Sequence, residues 1–442
     1  MQRILLKTLL VCLCLSPGSL RAQEAAPGGP PLDRGRIQPT VVKLQPGAEQ
    51  QFKAIIEAPR FNYARMAEKV TWTVNGIAGG DAKVGTIDAK GLYHAPATAP
   101  VPHEIHVRAE VEGVMNRFLF ATVLVGESEV AYTMTSSWAD PPETRRFRRP
   151  HGITIEPDGN LLITDEYTSR VFRFTPDGKM LAEIGLGSGG GTMRFGATPP
   201  TGAGFTPPPG MGFGPPPAGT PGHFSGPRLA LAGPGGTVFV LDVAERRPMI
   251  QVFDHEGHFK YGFGHWGTLP GEFMKGHSMA FDSKGLLHVN DVDNVKIYTF
   301  EPSGKYLGGW GAQGALPGDL NAPHAIYIDP NDEIFVTGYY GPTQKFTAEG
   351  HFLTAFAYAD PTERNPSFQS VCGDRWGDVY VPIASQGLAK FSNTGDMLGW
   401  VVKGRGVQWA AVAPDGTVYT LPAISFRGGS QPRNTVEVYT EQ

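Results

Sequence analysis

Cysteine is scarce: three in 442 residues, and two of them, Cys12 and Cys14, fall within the first 22, which leaves Cys372 alone. A single thiol makes no intrachain disulfide, so the folded parts must hold by core packing. Charged residues are only 18% of the chain and carry no basic excess, the formal net charge being −4. That sign of charge gives no long-range attraction to phosphate backbones, which argues against nucleic acid as a partner. Beyond residue 22 there is no run of 18 or more apolar residues, hence no membrane insertion after removal of the leader. Long helices are disfavoured as well, because 58 Gly and 39 Pro exceed a fifth of the chain, against roughly an eighth in ordinary proteins. What the sequence does hold is many short β-prone runs separated by turns.

Residues 1–22 (MQRILLKTLLVCLCLSPGSLRA) carry Arg3 and Lys7, an apolar stretch from Leu9 to Leu15, a Pro17-Gly18 break and a small residue at Ala22. This is the layout of a secretory signal peptide. We therefore expect an exported protein, periplasmic or extracellular. Removal of Arg3, Lys7 and Arg21 would make the remaining chain more acidic still. Residues 23–36, rich in Pro and Gly, read as a linker.

Residues 37–126 show period-two strands bounded by turns. Val70, Trp72 and Val74 fall on one face, Thr71 and Thr73 on the other, as in a half-buried sheet. Trp72 and Tyr93 are the expected core anchors. The strings VTWTVNGIAGGDAKVGTIDAKGLYHAP and HVRAEVEG resemble the bacterial Ig-like modules of exported proteins. That resemblance implies a small β-sandwich used as a spacer or for adhesion. His94, His103 and His106 sit at turns and strand starts, where we expect solvated side chains rather than a ligand cluster.

From residue 147 the chain repeats itself in six copies, from PHGITIEPDGNLLITDEYTSRVFRFTPDGKMLAEIG to GVQWAAVAPDGTVYTLPAISFRGGSQPRNTVEVYT. Each has a first strand, a Gly or Asp turn such as Pro157-Asp158-Gly159, a second strand, a third ending in Phe or Tyr, and usually a Gly turn before a fourth. Four strands repeated six times predict a β-propeller. The strings resemble NHL repeats, and the all-β expectation is an Ig-like sandwich followed by a six-bladed propeller over 130–442. The last copy lacks a fourth strand, and VAYTMTSSW (Val130 to Trp138) is expected to supply it, fixing the sandwich to the rim. A nearly uncharged Gly/Pro insertion, 187–222, separates the first two copies and reads as a loop.

Counting back eight positions from the turn marker of each first hairpin gives His151, Arg228, His277, His324, Gln369 and Gln408. All six are polar, and the first strand of a propeller blade lines the central channel, so they should converge at its mouth. Asp165, Asp242 and Asp291 close the second strands of the first three copies, where antiparallel pairing sets them beside His151, Arg228 and His277. They read either as partners of that column or as caps of turns. Three neutral imidazoles at one mouth suit a divalent metal such as zinc, with a coordination position left open.

The pattern Pro150-His151-Gly152, with His277-Ser278 and Asp165-Glu166-Tyr167, resembles the peptidyl-hydroxyglycine amidating lyases. That resemblance implies His151, His277 and His324 as metal ligands, Tyr167 as catalytic base and Arg228 as stabiliser of negative charge. The sequence departs from it in drawing its histidines from copies one, three and four, and in having Val292 rather than Arg after Asp291. The sequence therefore favours the first of two functions, the second being its alternative. The first is a propeller that binds a protein, peptide or glycan at its mouth, with Gln369, Gln408 and the three aspartates as contacts. The second is a metal-dependent lyase or hydrolase.

Overall fold

A computed structural model describes residues 33–58, 63–139, 149–185, 221–244, 247–339, 341–357, 370–383, 385–423 and 435–442. The leader, most of the 23–36 linker, nearly all of the 187–222 insertion and Gln369 lie outside them. The described chain is all-β, and none of its helices is long and apolar enough to cross a membrane.

The N-terminal domain consists of three sheets, of three, four and five strands. Phe52, Trp72, Val74, Tyr93, Val107 and Val123 are buried in its core. The Tyr93 hydroxyl donates to the Val84 carbonyl at 2.7 Å, which satisfies its polar end.

The repeats form four separate four-stranded sheets and one eight-stranded sheet, in which units five and six lie side by side. In each unit the hairpin joining strands one and two turns at a glycine or aspartate with positive φ. Gly159, at φ +89°, donates to the Glu156 carbonyl at 2.9 Å. The fourth strand of unit six comes from far upstream: Val130–Ala139 runs antiparallel to Thr435–Glu441.

A contact between neighbouring units closes the ring. In units three, four and five the glycine between strands three and four packs under an aromatic residue of the preceding unit's last strand, too closely for any side chain. A Cβ on Gly304 would lie 2.5 Å from Phe263, one on Gly350 2.4 Å from Trp310, and one on Gly395 2.6 Å from Phe356. At Gly178 of the first unit the same place is taken by Trp138, 2.4 Å away. Trp138 belongs to Val130–Ala139, so the periodic contact continues across the seam.

Paired strand ends fix which end of the disc is which. Pro150 lies opposite Asp165 and Ile155 opposite Leu161, so the first hairpin turn sits at the end away from His151. The N-terminal domain docks on that far end, at units four and five, and not on the rim as the sequence suggested. Arg34 pairs with Glu333, and Asn331 exchanges hydrogen bonds with the Phe118 backbone at 2.9 and 2.8 Å. His106 stacks on Trp376 at 5.0 Å. His103 and His106 are therefore buried, against the expectation of solvated rings, while His94 stays exposed beside Glu49. The reason is docking, which local sequence does not encode.

The same docking buries a charged cluster of Glu104, Asp374, Asp378, Lys390 and Glu441. Burial pushes the Asp378 carboxyl well above its usual range. Burial, with Glu104 adding to it, raises Glu441 to about 8.

Candidate functional site

The polar column lies at a β-bulge repeated around the ring. Between Pro227↔Asp242 and Leu229↔Leu241 the first strand has one residue more than its partner, and the extra residue is Arg228. His324 and Gln408 are extra in the same way, and His151-Gly152 and His277-Ser278 each face a single residue. A bulge re-aims the side chain it carries, here toward the axis. It also leaves backbone amides off the ladder. The Thr164 hydroxyl accepts from Gly152 N–H at 2.9 Å, and the Asn290 side-chain oxygen accepts from Ser278 N–H at 2.5 Å.

His151, His277 and His324 meet there. The ring centroids of His151 and His277 are 4.9 Å apart, and those of His277 and His324 are 3.6 Å apart. Trp409 packs against the first two and Tyr339 against the third. All three rings are at least 95% buried. The His151 Nδ1 lies 3.0 Å from the Arg228 carbonyl. A carbonyl only accepts, so Nδ1 carries the proton and Nε2 keeps its lone pair. The buried Nδ1 of His277 has no hydrogen-bond partner.

Burial lowers the His151 pKa to about 3, with Arg228 adding to the effect. Burial, then His324 and His151, puts His277 well below its usual value. Both rings are therefore neutral at pH 7. The unfolded chain binds protons below about pH 6.5 that these two rings refuse in the fold, so their contribution to stability is intact above that pH and falls as the solution is acidified. We expect a loss of about 1.4 kcal/mol per pH unit for each ring on going below pH 6.5, continuing toward pH 3 for His151. Urea unfolding of metal-free protein at pH 7, 6 and 5 measures the slope, and His151→Asn should flatten it.

The aspartates take another role. Asp165 accepts from the Arg149 and Thr168 amides at 2.7 and 2.8 Å, Asp242 from Ser225 and Gly226, and Asp291 from Met274 and Lys275. All three are buried. Of the two readings, the turn cap is the one these bonds support, and the pairing with the column is corrected by the register: the bulge sets each aspartate opposite the residue before the column.

Arg228 is partly buried, with Nη1 3.0 Å from the Glu166 Oε2. Tyr167 follows Glu166 and is 53% exposed. Gln408 is buried in the column. Sequence reasoning missed Glu166, Tyr339 and Trp409. Glu166 and Tyr339 each follow the end of a second strand, and Trp409 follows Gln408, so an extension of the columns by one residue would have found all three.

The donor set is three imidazoles brought ring against ring at the mouth. It offers neutral imidazoles, one with its tautomer fixed by a backbone carbonyl and one with an unpartnered buried nitrogen.

The NHL repeat family model matches residues 147–174. No curated protein matches the chain. Among solved structures, virginiamycin B lyase from Staphylococcus aureus is 13% identical over 70% of this chain and 99% of its own, with a TM-score of 0.44. Aldose sugar dehydrogenase from Streptomyces coelicolor, solved with PQQ bound, is 13% identical over 72% and 99%, with a TM-score of 0.46. A gluconolactonase from Xanthomonas campestris is 10% identical over 71% and 98%, with a TM-score of 0.44. At such identities none of them carries an activity across.

Proposed function

We propose that this NHL-type β-propeller is exported, has six blades, holds a divalent metal such as zinc on His151, His277 and His324, and acts as a metal-dependent lyase or hydrolase. The observation that carries the reading is the buried, unpartnered Nδ1 of His277 among neutral imidazoles. An unsatisfied buried acceptor costs about 1–3 kcal/mol, and a cation is one partner that removes this cost. When bound, the metal would polarise a substrate oxygen or make a water more acidic. The chain's own residues complete the site. The Arg228 carbonyl holds His151, the Arg228 guanidinium, paired with Glu166, would meet developing negative charge, and the exposed Tyr167 would exchange a proton with substrate.

A second reading is a binding module for a protein, peptide or glycan. It draws on Tyr167, Trp266, Leu269 and Leu316, large side chains exposed on connections at the mouth end.

Elemental analysis of protein purified without a metal-affinity tag separates the two. We expect His277→Ala to hold one equivalent of metal fewer than the parent chain and to lose the response of the melting temperature to chelator at that site. Equal metal content in the two proteins would leave the binding module.

A further inference from the structure

Three units build the same buried ion pair at the end away from the mouth. An acid opens the first hairpin turn and a base sits on the third strand: Glu156 with Arg173 in unit one, Asp329 with Lys345 in unit four, Asp374 with Lys390 in unit five. Units four and five add a second acid four residues on, Glu333 and Asp378. In unit four the N-terminal domain restores the balance by bringing Arg34 to Glu333. In unit five the domain brings Glu104 to Lys390, and Glu441 of the last strand joins them. Four carboxyl groups then face one ammonium in a buried interface.

The cluster also offers ligand atoms. One from each of Glu104, His106 and Asp378 lie within 4.8 Å of one another, and all three residues are buried. Glu104 Oε1 has no hydrogen-bond partner, and Asp378 Oδ2 has the Lys390 ammonium 3.3 Å away as its ion-pair partner. His106 places Nε2 3.6 Å from Glu104 and Nδ1 3.7 Å from Asp378. An imidazole with two carboxylates suits a divalent first-row ion.

We propose that a divalent ion of the zinc or manganese class binds between Glu104, His106 and Asp378 and staples the N-terminal domain to unit five. Two ligands come from the domain and one from the propeller, so the ion holds the interface only when both are in place. Lys390 lies among all three acids, paired with Glu104, 3.3 Å from Asp378 and 3.7 Å from Asp374, and Asp374 also accepts from the Tyr380 hydroxyl at 3.1 Å.

The site is independent of the axial histidines, and the test uses that. His277→Ala protein is stripped with EDTA, equilibrated with ZnCl2 or MnCl2, desalted and analysed for metal. One equivalent should remain, and it should be lost when His106→Asn or Asp378→Asn is added. EDTA should lower the melting temperature of His277→Ala by roughly 4 °C or more and leave the double variants unmoved. Should His277→Ala not fold, the parent chain and its His106→Asn variant are compared instead, with one equivalent as the expected difference. Protein that retains neither ion, or retains it equally with Asn at 106, overturns the proposal and leaves protons balancing the cluster. Loss of the axial metal alone would sink the proposed function and leave this site standing.

Discussion

Lys390→Met is expected to cost about 3–5 kcal/mol in urea unfolding of metal-free protein, the range for removing one partner of a buried ion pair. The ammonium is 98% buried, pairs with Glu104, and lies 3.3 Å from Asp378 and 3.7 Å from Asp374. Burial alone would lower its pKa, yet Glu104 and its neighbours raise it well above the usual lysine value, so it is held as a cation. A methionine fills the volume of the stem and leaves those carboxylates facing one another. The exposed pair Lys305–Glu301 is the control, since solvent and salt screen a surface contact of this kind and its loss should leave the urea midpoint nearly unmoved. A loss below about 1 kcal/mol at Lys390 would mean that the cluster is already neutralised, by protons or by water. Adding Glu104→Gln to Lys390→Met should recover part of the loss, because it removes one of the uncompensated charges.

What could be read in advance was whatever depends on period and turn. The six copies, the polar column and the approximate strand ends are local properties, and the column is legible because each described bulge sits at a fixed distance from a hairpin marked by glycine or aspartate. The bulge itself is not written in any one residue. Reading the strands as regular therefore put Asp165 beside His151 instead of Pro150, and turned an anchor of the entry loop into a partner for an imidazole. Long-range docking was invisible for a different reason. His106 lies in a strand whose alternation looks half solvated, and only the arrival of Trp376, more than 250 residues later, buries it. Glu104 and Lys390 likewise look like ordinary surface charges until the two domains meet.

A chain beginning at residue 140 is expected not to fold, whereas one beginning at residue 127 keeps a cooperative melt. Both lack the N-terminal domain, so the difference isolates Val130–Ala139. That strand pairs seven residues with Thr435–Glu441, at roughly 1 kcal/mol for each net hydrogen bond. It also supplies Trp138, whose ring lies 5.1 Å from Phe174 and covers Gly178, and whose Nε1 donates to the Pro176 carbonyl at 3.2 Å. Without it unit six has a bare edge, and unit one loses the aromatic cover that units three, four and five receive from their predecessors. An open ring exposes two unpaired sheet faces that invite association. Circular dichroism and size-exclusion chromatography of the two chains measure the outcome, and a peptide of residues 130–139 added to the shorter chain should restore part of its signal. Equal melts for both would show that the ring closes through contacts between neighbouring units, with the outer strand dispensable.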